Sequence, residues 1–185
     1  MTRIDPDSPI SATRKWIETV VIGLQLCPFA AVPFRKDRIR YVVSEAFTAA
    51  ELLDDLGQEL AYVFQADPEE VETSVLIHPA CLHDFEDYWD FLAVAEALIR
   101  EQKLEGEIQV AGFHPEFRFA GTDDDDAANY TNRSPFPMIH LLREDSITQA
   151  LDHYSNPDAI PERNIELLRE MGLKKIQELR ARCTE

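Results

Sequence analysis

The chain has 185 residues, 35 of them acidic and 18 basic, giving a formal net charge of −17. That length suits one domain, residues 1–185 with 1–10 as a polar lead, and the charge repels a phosphate backbone, so nucleic acid is not expected as a partner. The longest apolar runs fall far short of the ~20 residues of a bilayer span, and the N-terminus is acidic where a signal peptide is basic. Three cysteines, Cys27, Cys81 and Cys183, have unrelated spacings that suit a reducing compartment, so the expectation is a cytoplasmic protein without membrane contact.

In chain order, Ser11 is a candidate cap for a helix whose apolar stripe is Trp16, Ile17, Val20, Val21 and Leu24, with Pro28 as its stop. Residues 39–44 read as a short strand. Thr48 and Glu51 form a capping box for a helix burying Leu52, Leu53, Leu56, Leu60, Val63 and Phe64. A second strand runs to Ile77 and stops at His78-Pro79; a long amphipathic helix follows over 84–102. A third strand, 108–113, ends at a second His-Pro pair, His114-Pro115. From Glu116 to Pro137 the chain is polar and rich in turn formers, a length of loop that is uncommon unless functional. Residues 138–143 form a fourth strand, Asp145 caps the next helix, and Pro161 fits the first turn of a final one. His83 and His153 are expected on helix surfaces.

Helices between the strands favour crossover connections. The expected fold is a layered α/β sandwich: a small, mixed, mainly parallel sheet of about four strands covered by helices, with the fourth strand free to run antiparallel. His78 and His114 then both lie at carboxyl ends of strands, where open α/β sheets bind ligands.

The polar loop carries the residues suited to chemistry. Arg133, flanked by Asn132 and Ser134, has a planar guanidinium that matches a carboxylate or phosphate, and Arg143 is a second cation. The alternative is that Arg133 pairs with the aspartates of its own loop. Gly121 supplies a turn or a close approach to a ligand. The run Asp123 to Asp126 either offers oxygens to a hard cation or is a solvated turn. His114 with a carboxylate, Glu116 or Glu144, is a candidate acid–base pair. Cys27, His78, His114 and His140 are candidate ligands for a transition metal, although none of them share a short ligand spacing. Cys27 is either a nucleophile or a packing residue. The carbonyls of a preceding helix end oppose its ionisation.

The blocks Gly23-Leu-Gln-Leu-Cys-Pro-Phe-Ala30, Phe113-His-Pro115, Phe119-Ala-Gly-Thr122, Asn129-Tyr-Thr-Asn-Arg-Ser-Pro135, Pro137-Met-Ile-His-Leu-Leu-Arg-Glu144 and Ile160-Pro-Glu-Arg-Asn164 resemble the signature blocks of a bacterial family catalogued only as a domain of unknown function. The resemblance spans nearly the whole chain and implies no particular activity or cofactor. Its matching blocks contain Cys27, His114, Gly121, Asn132, Arg133, Ser134, His140, Arg143, Glu144 and Arg163. Such a concentration of polar motif residues in loops points to a site.

Three functions follow as expectations. The first is an enzyme acting on an anionic small metabolite, bound by Gly121, Asn132, Arg133, Ser134, His140 and Arg143, with His114 and Glu144 catalytic. The second is a non-catalytic module that senses a metabolite or contacts a protein. The third is a metal-dependent hydrolase built on the histidines. Connectivity further predicts that Arg133, His114 and His140 converge on one concave pocket, because the long loop must return across the end of the sheet.

Overall fold

A computed structural model describes residues 7–152 and 156–185. Residues 1–6 of the polar lead, and His153, lie outside the described residues. Helix α1 (Asp7–Trp16) is already helical at Asp7, so Ser11 is no cap; Pro9 sits near the helix start, where a missing N–H costs nothing. The chain then widens without a break into a π-helix (Ile17–Ile22), seen in the i+5 bonds from Gly23 N to Glu18 O (3.0 Å) and from Leu26 N to Val21 O (2.8 Å). Gly23 is required there, since a Cβ would lie 2.3 Å from the Thr19 carbonyl oxygen.

A short helix α2 (Ala31–Arg35) leads to β1 (Ile39–Val43). Helix α3 (Ala49–Gln65) begins with the expected box: Thr48 Oγ1 accepts from Glu51 N, and Glu51 accepts from Thr48 N. Its buried stripe is Leu52, Leu56, Leu60 and Val63, each worth about 1.5–3 kcal/mol of burial. Phe64, expected inside, is 49% exposed. Then come β2 (Thr73–Ile77), α4 (Phe85–Glu101) capped by Asp84, and β3 (Ile108–Phe113). The long loop holds a 3-10 turn (Ala127–Thr131) before β4 (Met138–Arg143). Helix α5 (Glu144–Leu151) starts directly from the strand, with Asp145 inside its first turn and no side-chain cap. The last helix divides at Gly172, whose φ of 84° separates α6 (Ile160–Met171) from α7 (Leu173–Ala181).

The four strands form one mixed sheet in the order β1-β2-β4-β3. Strands β1, β2 and β3 share a direction, as their helical crossovers require. The sheet is nevertheless mostly antiparallel, a correction to the expected mainly parallel one: β4 enters between β2 and β3, so only β1–β2 is a parallel pair.

Register decides what each face presents, because directly opposed residues share a face. Leu76, Ile139, Leu141, Val42 and Val110 pack against α3 and α4 in one core. Val75, Ile77, Met138 and Phe113 pack against α1, the π-helix, α6 and α7 in the other. The result is a helix–sheet–helix sandwich with both sheet faces covered.

Candidate functional site

The polar loop is largely bonded to itself. Asn129, fully buried, accepts through Oδ1 from Phe119 N (3.0 Å) and Thr122 Oγ1 (2.9 Å) and donates through Nδ2 to Asp123 O (2.9 Å). Asn132 accepts His114 N on its carbonyl and donates to Gly112 O, fastening the loop to the end of β3. Ser134 donates to Phe136 O, and its carbonyl receives Arg180. Gly121 makes a turn at φ 79°. The aspartates diverge: Asp124 pairs with Arg118 (2.9 Å), while Asp126 caps the 3-10 turn and accepts Arg169 through both oxygens. That guanidinium holds the Asp126 carboxyl below its ordinary range. A motif dense in donors and acceptors therefore builds a long loop that needs internal partners, since buried polar groups are costly unpaired.

His114 follows the same logic. It is 1% exposed; its Nδ1 accepts from Glu116 N (3.1 Å), so Nε2 carries the proton and donates to Leu82 O (3.2 Å). Burial lowers its pKa, and its ring sits against Tyr88 (4.9 Å) and Phe85 (5.6 Å). The expected pairing with Glu144 does not form: Glu144 N bonds Glu107 O at the start of β3, whereas His114 follows its last residue, about 20 Å away along the strand. Arg143 is likewise engaged. Its guanidinium donates to the carbonyls of Val63, Ala66 (2.7 Å) and Val71, capping the carboxyl end of α3.

Arg133 stacks on Tyr130 (4.9 Å) and donates through Nε to Phe117 O (2.8 Å). No carboxylate among the described residues pairs with it, so the expected alternative of pairing with the loop aspartates does not occur. It faces an open groove of about 410 Å³ whose other charged residues are Arg118 and the carboxylates Asp84, Glu86, Glu116 and Asp124.

His140 departs most from expectation. Opposite Val75 and Ala111, it lies on the α1 face of the sheet, whereas His78 and His114 lie on the α4 face. Arg133, His114 and His140 therefore do not converge, and the four candidate metal ligands are split across the sheet. Among the described residues no group of three or more His, Cys, Asp or Glu is placed to hold a metal ion.

What His140 does face is a cavity of about 70 Å³ beneath α1 and the π-helix, walled by Trp16, Ile17, Val21, Cys27, Phe29, Ala30, Val75, Phe113 and Met138, with Glu72 and Ser146 among its polar lining. That is several times the about 10–15 Å³ a single water needs. Thr73 Oγ1 donates to Leu141 O (2.6 Å), so at 2.7 Å from His140 it receives the Nε2–H. Burial pushes the His140 pKa down to about 4, leaving the ring neutral and Nδ1 a bare acceptor. No hydrogen bond from the described residues reaches Nδ1.

Cys27 joins this cavity because two motif blocks meet. Arg163 donates to Gln25 O (2.9 Å) and Asn164 to Leu26 O (2.7 Å), holding a turn in which Gln25 adopts φ 54°. Burial raises the Cys27 pKa, with the backbone N–H groups of Phe29 and Ala30 acting in the opposite sense. The preceding helix end is visible in the sequence, whereas those N–H groups depend on the turn that follows it. Trp16 and Thr73 carry no sequence signal of the cavity they line, because their types are ordinary for a helix stripe and a strand.

The fold and the cavity define a small α/β sandwich with an apolar recess on one sheet face. Residues 8–178 match the family model described as a protein of unknown function (DUF1415), and the chain belongs to that family. No curated protein and no solved structure matches it. Among the described residues no helix is long and apolar enough to cross a membrane.

Proposed function

We propose that this protein is a binding module that holds a small, mostly apolar molecule in the recess between the N-terminal helix and the sheet. The observation carrying the reading is that this recess pairs largely apolar walls with a polar atom, His140 Nδ1, that no hydrogen bond from the described residues engages; small-molecule sites have this composition. The π-helix adds support, since such turns recur at functional sites and this one supplies Ile17 and Val21 to the wall. A neutral imidazole and a neutral thiol suit recognition better than acid–base turnover.

A thermal-shift screen of neutral and anionic small molecules tests the reading. Neutral apolar compounds should raise Tm, and Ala30→Phe, which fills the recess, should abolish the shift.

A second reading keeps an enzyme or sensor for an anionic metabolite in the groove beside Arg133. It is favoured by the guanidinium's terminal nitrogens, which have no protein partner among the described residues. The surrounding carboxylates oppose it. Stabilisation by anions that disappears in Arg133→Ala would select this reading over the first.

A further inference from the structure

Resting on the recess as the binding site, we infer that its ligand belongs to the hydroxyl compounds: a compact apolar body, about one ring in size, carrying an O–H that donates to His140 Nδ1.

The hydrogen-bond geometry fixes this preference. Thr73 has one proton and spends it on Leu141 O, so the proton between Thr73 and His140 belongs to the imidazole Nε2. The opposite nitrogen then offers a lone pair and no proton, and a ligand that meets it with a carbonyl or ether oxygen gains nothing. A carboxylate is disfavoured more strongly, because it brings a charge to an acceptor in a largely apolar recess that Glu72 also lines, and the lining cation Arg143 is committed to the carbonyls of Val63, Ala66 and Val71.

A second group selects the hydroxyl among donors. Trp16 lines the same recess, and its indole N–H is buried without an acceptor among the described residues. Trp16 and His140 both pack on the Phe113 ring, at 5.3 Å and 6.1 Å between centroids. An N–H can only donate and a bare imidazole nitrogen can only accept. A hydroxyl oxygen does both at one atom, and so answers the two unmet groups together once the ligand turns the indole enough to bring its sealed N–H to the recess. Thr13 Oγ1 and Tyr41 Oη, on α1 and β1, are likewise buried with no hydrogen-bond partner among the described residues. Three of the four such atoms among the described residues thus belong to α1 and β1, which marks this layer as the part of the molecule with polar capacity to spare.

Phenol and toluene are the probes, because they are nearly the same size and differ in the hydroxyl. Each is titrated into the full chain and followed by the 15N resonances of the His140 imidazole and the Trp16 indole. Phenol should bind about tenfold tighter than toluene, the effect of one to two net hydrogen bonds. It should also move both resonances, and its advantage should vanish in His140→Phe. The wild-type resonances carry the test even if that variant folds poorly. Toluene binding as tightly as phenol would overturn the hydroxyl preference while leaving the recess as the site. Binding of neither, or shifts confined to residues outside the recess, would overturn both.

Discussion

Arg143, at the end of β4, donates to the carbonyl of Ala66 at 2.7 Å, closing the last turn of α3 from 77 positions further along the chain. A cation there meets the negative end of the helix dipole as well as carbonyls that lack intrahelical donors. Arg143→Met should therefore cost about 2–4 kcal/mol, a fall in Tm of roughly 5–15 °C by calorimetry. Arg143→Lys should recover part of it. An unchanged Tm would release Arg143 from this structural role and return it to the candidate ligand clamp.

Asn129 and Arg133 occupy one motif and should behave differently. Asn129→Ala removes the three hydrogen bonds of a fully buried side chain and should lose about 2–4 kcal/mol in urea unfolding. Arg133→Ala loses one bond and a ring contact, and about 1 kcal/mol. Equal losses at the two positions would contradict the division between loop scaffold and open groove.

Gly23→Ala places a methyl 2.3 Å from the Thr19 carbonyl oxygen, so the π-helix must shift to admit it. The expected result is a cooperative but less stable fold, with weaker phenol binding than the wild type. A variant that melts and binds as the wild type would mean the π-turn has room that these distances deny.

Acid should destabilise the protein through its buried histidines. His78 and His140 both have folded pKa values pushed down by burial to about 4, below the ordinary 6.5. Between those values the unfolded chain binds protons that the folded one refuses, so stability is complete above about pH 6.5 and drains away as pH falls toward 4. For His78 the full loss is about 3 kcal/mol. His78→Asn can still donate to Cys81 O, as Nδ1 does at 3.0 Å, and does not titrate. Urea midpoints at pH 7 and 4.5 should lie closer together in that variant; an unchanged gap would assign the acid sensitivity elsewhere.

How much of this was legible in the sequence depends on the kind of signal. Strands β3 and β4 and the Thr48–Glu51 box follow from local pattern and appear where expected. The π-helix does not, because Ile17, Val20 and Val21 make an apolar stripe at either helical pitch. The face of His140 turns on strand parity, since the neighbouring position on β4 would have sent the ring to the α4 side. The Asn129 to Ser134 block reads as a site because it is polar. Folded, most of its donors and acceptors are turned inward, while the terminal nitrogens of Arg133 have no hydrogen-bond partner among the described residues.

The insertion of β4 between β2 and β3 also governs how the chain can come together. Until residue 143 has left the ribosome, β3 has no strand to pair with, and β2 has only β1. The chain before β4, about three-quarters of its length, is thus a set of helices and a strand pair awaiting their keystone, with apolar strand edges open to the wrong partners. A fragment ending at 137 should show hydrogen-exchange protection in its helices and the β1–β2 pair but none in β3, and depend on chaperones for solubility, whereas one ending at 152 should protect β2 and β3 together.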